Sequence, residues 1–356
     1  MDEDIMGRIL DELKEVEDAP QDYSLGFGEP DTSPMPFSSD NFHEISHEIS
    51  PEPAAGSRIT FIDGGNAELL ASPGASLHFV RIFHTAYKGG NRVSCGSDEF
   101  YALAKAVAKD SRVFYDAKLF SSRVRTLTDT FFSTEFSFDA LDKDLRDGRH
   151  RFSISKVPSN IRRLAELSTA LLMVKDSGAG DIIVLDGDFG AKLPEEHKLL
   201  SALRRVAFDR KVFVCALSKT SGMLSSVGVP VSVLLEQRSP GGMWYYHPVI
   251  DTSNSPVKRE VYFARFHPGS GYVFKFETFD SRPESELVFS LLAANSRDPV
   301  FLGYPYGLVE ADRFARVSNR ECECLRTMFM AKAGRDWKHL DSASKAIDAH
   351  SVLDSI

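Results

Sequence analysis

Asp181-Ile182-Ile183-Val184-Leu185-Asp186-Gly187-Asp188-Phe189-Gly190 is the stretch whose reading decides the fold. Ile182 to Leu185 is a short unbroken apolar run rich in β-branched residues, the pattern of a strand buried on both faces. Its end carries Asp186 to the C-terminal edge of a sheet, where open α/β folds place their sites. A related stretch, Ile59-Thr60-Phe61-Ile62-Asp63-Gly64-Gly65, lies upstream. Two strands that each run into Asp-Gly direct two carboxylates at one point, an arrangement that metal-dependent phosphate chemistry requires.

Working outward, Ser159 is a suitable N-cap, and Ile161, Leu164, Leu167, Ser168, Leu171, Leu172 and Val174 make a broad helical face over 159–176. Ser177-Gly178-Ala179-Gly180 turns the chain into the strand ending at Asp186. A helix from Pro194 to Phe208 and a strand from Lys211 to Leu217 follow. This helix-strand-helix-strand order implies parallel pairing. Upstream, 58–72 and 75–87 read as two strands of a hairpin joined by Ser72-Pro73-Gly74, and Lys88-Gly89-Gly90-Asn91 as a turn. The alanine-rich stretch 98–109 reads as a helix and Val113–Phe120 as a strand. Downstream, strands are expected at Val231–Glu236, Met243–Ile250, Val261–His267 and Tyr272–Phe279, and helices at 284–295 and 307–332. A hairpin first, then alternating helix and strand, then more strands indicates an α/β fold with a ribonuclease-H-like mixed sheet and flanking helices; a purely doubly wound sheet would not open with a hairpin.

The chain has 356 residues, 42% of them hydrophobic, enough for a sizeable core. Residues 4–17 carry Ile5, Met6, Ile9, Leu10, Leu13 and Val16 at helical spacing, an amphipathic helix. Residues 18–57 are rich in Pro, Ser and Asp and read as an arm, so 1–57 precedes a body at 58–335, with an insert near 121–157 and a tail at 336–356. The formal net charge of -9 excludes a protein basic overall, yet carboxylate-held cations can still bind phosphates. Cys95, Cys215, Cys322 and Cys324 are too scattered for a disulfide framework and are expected as reduced thiols. No apolar run approaches the roughly 20 residues of a membrane span, and the acidic start Met1-Asp2-Glu3-Asp4 is unlike a signal peptide, so a cytoplasmic, membrane-free protein is expected.

Carboxylate oxygens suit magnesium or manganese. A two-metal phosphodiester site needs three or four carboxylates around ions about 3.5–4 Å apart. Asp63 and Asp186 are the first pair, although Asp-Gly after a strand is also an ordinary turn. Glu166, the acid inside the apolar helix surroundings Leu164-Ala165-Glu166-Leu167, is the candidate third, with a solvated helix face as the plain alternative. Lys219 follows strand 211–217 and, if the strands are adjacent, shares an edge with Asp186, where a cation can hold a phosphate. Gly303-Tyr304-Pro305-Tyr306 leads into a helix bearing Asp312; its tyrosines could stack on bases, hydrogen-bond phosphates, or simply pack in the core. His84, His247 and His267 lack metal-ligand spacing, and no Gly-x-Ser-x-Gly, P-loop or Gly-x-Gly-x-x-Gly motif occurs.

Taken together, Phe61-Ile62-Asp63-Gly64-Gly65, the helix around Glu166, Val184-Leu185-Asp186-Gly187, Leu217-Ser218-Lys219-Thr220-Ser221 and Gly303-Tyr304-Pro305 leading to Glu310-Ala311-Asp312 resemble the NurA family of nucleases over about Arg58 to Met330. The resemblance implies a ribonuclease-H-like fold with an added antiparallel, barrel-like part, and a homodimer. It implies a Mn2+- (or Mg2+-) dependent deoxyribonuclease, a 5′→3′ exonuclease and single-strand endonuclease. Such an enzyme acts on single-stranded DNA and duplex ends in DNA end resection and double-strand-break repair, with a hexameric HerA-type ATPase. The family's metal carboxylates fall on Asp63, Glu166 and Asp186, and its C-terminal tyrosine on Tyr304. Where many members have histidine eight residues after that tyrosine, this chain has Asp312, which can bind a metal but cannot act as a neutral imidazole. The alternatives are a phosphotransferase of the sugar-kinase and actin-like superfamily, which would bind ATP tightly, and a non-catalytic adaptor of a DNA translocase, which would bind without cutting.

Overall fold

Alternating burial writes much of the chain into strands. Numbered along the chain, they are β1 (Ser24–Leu25), β2 (Ser33–Pro36), β3 (Phe42–Glu44), β4 (Arg58–Ser72), β5 (Ala75–Lys88), β6 (Asn91–Lys109), β7 (Arg112–Phe120), β8 (Glu135–Asp139), β9 (Ile182–Asp186), β10 (Phe213–Ser218), β11 (Trp244–Tyr246), β12 (Ile250–Asp251), β13 (Glu260–Arg265) and β14 (Phe274–Thr278). The helices are α1 (Val157–Lys175), α2 (Pro194–Arg210), α3 (Val231–Arg238), α4 (Ser285–Asn295), α5 (Tyr306–Ala315) and α6 (Asn319–Ala333). The structure, a computed structural model, describes residues 5–7, 23–46, 56–121, 133–146, 148–279 and 285–334. Most of the helix expected at 4–17 and all of the tail 336–356 lie outside these residues; residues 5–7 are helical. The hydrogen-bonding order of the large sheet is β3-β11-β13-β14-β10-β9-β4-β5-β6-β7-β8. The chain divides into two compact units.

The first unit comprises Ala55–Leu185, Gly190–Phe213 and Gly307–Ile356. β4 pairs parallel with β9, from Ile59↔Ile182 to Ile62↔Leu185. On its other side β4 leads an antiparallel meander through β5, β6, β7 and β8. The expected hairpin at 58–87 is therefore present. α1 lies against β4 and β5. It buries Ile161, Leu164, Leu167, Leu171 and Val174, each full burial contributing roughly 1.5–3 kcal/mol.

Asp98–Lys109 is a strand, not the expected helix. Phe100, Ala102 and Ala104 are buried at period two, and pairing with β5 overrides the helix propensity of the alanines. Within 121–157, β8 extends the meander by pairing with β7, and residues 122–132 and 147 lie outside the description. The expected helix at 307–332 is two helices, because Ser318 starts α6 by accepting a hydrogen bond from Glu321 N at 3.2 Å.

The second unit comprises Met1–Ala54, Asp186–Phe189 and Val214–Tyr306. β10 pairs antiparallel with β14, β14 with β13, β13 with β11, and β11 with β3. Tyr23 and Leu25 join Trp244, Tyr246, Leu234, Leu235 and Phe263 in its core, so residues 23–46 of the Pro- and Ser-rich stretch form strands that pack here. Val231–Glu236 is helical, not the expected strand: Val231, Leu234 and Leu235 are buried at i, i+3, i+4 spacing. The strand expected at Met243–Ile250 is divided at His247-Pro248, where proline offers no N–H to a ladder.

β9 and β10 run through both units. The bonds Phe213 N→Asp181 O (2.9 Å) and Gly187 N→Leu217 O (3.0 Å) advance together along both strands, the parallel pattern. A parallel centre flanked by antiparallel strands and helices is the expected ribonuclease-H-like mixed sheet. Among the described residues the antiparallel part remains open, with β3 and β8 at its edges, and forms no closed barrel. No described helix is long and apolar enough to cross a membrane.

Candidate metal centre

In the first unit, Asp63 lies on β4 immediately after Ile62, and Ile62 is the register partner of Leu185. Asp63 is thus one position beyond the last parallel pair, as Asp186 is on β9. β4 does not stop there: it continues through Gly64 and Gly65 to Ser72. These two glycines are required by close approach. A Cβ on Gly64 would meet Glu166 Oε1 at 2.4 Å, and one on Gly65 would meet the Ala315 carbonyl oxygen at 2.3 Å.

Glu166 is buried on α1, on the side that faces Gly64, and not on a solvated face. Arg162 pairs with its carboxylate, Arg163 approaches at 3.5 Å, and Arg162 Nη1 also donates to Gly64 O at 2.7 Å. α5 carries Glu310 and Asp312. Glu310 is buried and accepts from Thr85 Oγ1, Tyr87 Oη and Arg92 Nη1, each at 2.8 Å, which ties α5 to the strands. Asp312 pairs with Arg316 at 3.0 Å.

In the second unit, Asp186 ends β9, and Gly187 turns the chain with φ of +112°, a conformation that favours glycine. Lys219 Nζ lies 2.6 Å from Asp186 Oδ2, and Tyr304 Oη donates to Asp186 Oδ1 at 3.3 Å. Lys219 also sits 5.7 Å above the Tyr304 ring. Tyr304 itself is fully buried against Phe274 and Phe301, so its ring offers no face to a base. The turn beyond Asp186 is braced. Ser218 Oγ donates to Gly187 O at 2.7 Å, and Phe189 N donates to the buried Glu277 Oε2 at 2.7 Å. Lys275 bridges Glu277 (3.0 Å) and Asp188 (3.4 Å). Burial works against the Lys275 ammonium, but Glu277 and Asp188 outweigh it and hold the pKa above the ordinary value.

Within the first unit, one carboxylate oxygen of Asp63 lies within 4.8 Å of one of Asp312. All-oxygen donors of this kind fit a hard divalent cation such as Mn2+ or Mg2+. Glu166 stands beside Gly64 but is not part of that pair. The anchors Arg162, Arg163, Glu310, Lys275 and Glu277 were not legible as such, because their roles arise from partners far away in sequence or from burial. Only the i, i+4 spacing of Arg162 and Glu166 is a local signal. His247 pairs with Glu260 at 2.9 Å and stacks on Tyr262, and burial pushes the pKa of His84 down. All four cysteines are free thiols.

The family model of the NurA domain matches residues 57–317. Among solved structures, the NurA nuclease from Sulfolobus solfataricus superposes with a TM-score of 0.52 at 14% identity, covering 93% of this chain and 95% of that one. The catalytic domain of human endonuclease V gives a TM-score of 0.38 at 12% identity, covering 83% and 92% respectively. Endonuclease V of Ciona intestinalis, in complex with a DNA containing inosine, gives 0.36 at 9% identity, covering 73% and 84%. Comparison with curated proteins gave no match. With a family model matched over residues 57–317, most of its length, the chain belongs to the NurA domain family.

Proposed function

We propose that this protein is a metal-dependent DNA nuclease that hydrolyses phosphodiester bonds with Asp63, Asp186 and Asp312 as its carboxylates. The observation that carries this reading is the closeness of Asp63 and Asp312 in one unit together with the lysine bound to Asp186 at the end of β9 in the other. Asp63, Asp186 and Asp312 would hold Mn2+ or Mg2+, and Glu166, turned toward Gly64 by Arg162 and Arg163, is the proposed fourth carboxylate. The chemistry supplied by such an ion is neutralisation of phosphate charge and acidification of a water. Lys219 is placed to meet the negative charge that grows on the phosphate, and a preorganised cation there lowers the barrier. Tyr304 acts on Asp186 and not on the phosphate: it is buried and fixes the carboxylate through its hydroxyl.

Family membership supports the finer reading, a 5′→3′ exonuclease and single-strand endonuclease that works as a homodimer with a HerA-type hexameric ATPase in DNA end resection. The test is cleavage of 5′- and 3′-labelled single- and double-stranded DNA with Mn2+, with Mg2+ and with EDTA. Degradation that needs the divalent ion and disappears in Asp63→Ala and Asp186→Ala is expected. Undiminished cleavage in EDTA, or by Asp186→Ala, rules the assignment out.

A further inference from the structure

A cleft of about 340 Å³ opens beside Lys219 in the second unit. Its walls come from three segments. Lys219, Thr220 and Ser221 follow β10; Ser232 and Gln237 project from α3; Tyr272 comes from the loop between β13 and β14. The lining thus combines a cation, hydroxyl and amide groups and an aromatic ring with the apolar Val233 and Val273. Its acid, Glu236, is paired with Arg265 at 3.3 Å, which offsets its charge.

Tyr272 is 57% exposed, so its ring is available to a ligand in the cleft that it lines. It is also held in place. Tyr272 N donates to Ser270 Oγ at 3.1 Å, and its ring meets Phe301 at 83° with centroids 5.2 Å apart. The loop beneath it is braced by Arg265, which donates to Ser270 O at 2.9 Å and to Pro268 O at 2.7 Å. An exposed ring on a braced loop loses little freedom on binding.

Resting on the nuclease reading above, we propose that this cleft seats one nucleotide of single-stranded DNA adjoining the scissile phosphate. The base stacks on Tyr272, and the backbone lies along Lys219, Thr220 and Ser221. Lys219 joins the two sites, since it lines the cleft and touches Asp186. Stacking uses a π-face that every base has, so the subsite tolerates sequence while it favours an unpaired strand.

The test is fluorescence anisotropy of a 5′-fluorescein-labelled 15-nucleotide oligo(dT) in EDTA, where no cleavage occurs. Tyr272→Ala is expected to weaken binding roughly 5- to 100-fold, the range for loss of one base–aromatic stack. Tyr272→Phe should retain affinity, and Ser232→Trp, which fills the cleft, should weaken it as Tyr272→Ala does. An oligonucleotide with abasic positions should bind wild type and Tyr272→Ala alike. Unchanged affinity in Tyr272→Ala and Ser232→Trp, or no binding by wild type, overturns the subsite. Cleavage of the same oligonucleotide in Mn2+ is read separately, so loss of the nuclease reading and loss of the subsite give different results.

Discussion

Lys219 Nζ stands 2.6 Å from Asp186 Oδ2, at the same end of two neighbouring parallel strands. Asp186 is the last residue of β9, and Lys219 is the first after β10. The pairing places a fixed cation on a proposed metal ligand. Such a lysine has two opposed effects: it competes with a metal for the carboxylate, and it supplies positive charge to a phosphate once the metal is there.

Lys219→Met separates these effects. Turnover of linear DNA should fall by about 10²–10³, the size seen when one preorganised donor to a developing negative charge is removed. Mn2+ affinity, measured by calorimetry, should hold or tighten, because Asp186 loses its competing cation. A parallel loss of metal affinity and turnover would instead make Lys219 a structural support for Asp186.

Gly64 and Gly65 leave room for two different neighbours, and alanine at each should fail differently. Gly65→Ala drives a Cβ to 2.3 Å from the Ala315 backbone oxygen, and backbone cannot rotate away. Overpacking of this kind costs about 1–3 kcal/mol. It should lower the Tm and, by displacing α5, weaken Mn2+ binding through Asp312. Gly64→Ala meets the Glu166 carboxylate and Ile82 instead and should disturb Glu166 first. Gly74→Ala meets nothing within 4 Å and is the control. Equal Tm values for Gly65→Ala and Gly74→Ala would refute the close-approach account.

The parts of the fold that were legible are those set by local pattern. Ile182–Leu185 reads as a strand because it is buried on both faces, and helix–strand alternation then places Lys219 on the edge of Asp186. Where two periodicities competed, composition misled. Alanines at 102 and 104 suggested a helix, although Phe100, Ala102 and Ala104 bury one strand face. The valines at 231 and 233 suggested a strand, although burial follows Val231, Leu234 and Leu235. Of the two Asp-Gly pairs, Asp186 ends β9 as its pattern implies, whereas Asp63 lies inside β4, which runs on to Ser72. Asp312 is also a candidate ligand from the sequence; what no local pattern shows is how α5 is held, through Glu310 on Thr85 and Tyr87, more than 200 residues earlier.

Arg162 tests whether Glu166 takes part in metal binding. Arg162→Met removes the nearer guanidinium from a buried carboxylate and leaves Arg163 at 3.5 Å. Breaking a buried pair from one side costs about 3–5 kcal/mol, and the remaining arginine and the partial exposure of Arg162 reduce that here to roughly 1–3 kcal/mol. If Glu166 is a ligand, saturating Mn2+ replaces the lost positive charge, and the gap in Tm between wild type and variant should narrow. The same Tm gap with and without Mn2+ would leave Glu166 as a structural acid alone.

On the proposed nuclease reading, Asp312 tests which metal the centre takes. The ion pair of Asp312 with Arg316, at 3.0 Å, is one turn along the helix and largely solvent-exposed on the arginine side, so it contributes little to stability. A carboxylate oxygen within 4.8 Å of one of Asp63 is what makes Asp312 a candidate ligand. Asp312→Asn keeps the size and removes the charge, and should reduce Mg2+-supported cleavage by more than about tenfold, in line with losing one charged ligand or its support. Asp312→His replaces a hard oxygen with an imidazole, which suits transition metals better than magnesium. Activity in Mn2+ should therefore survive better than activity in Mg2+, and the Mn2+/Mg2+ activity ratio should rise. Arg316→Ala should leave both activities near wild type. Full Mg2+ activity in Asp312→Asn would remove Asp312 from the ligand set and leave Asp63 and Asp186 as its core.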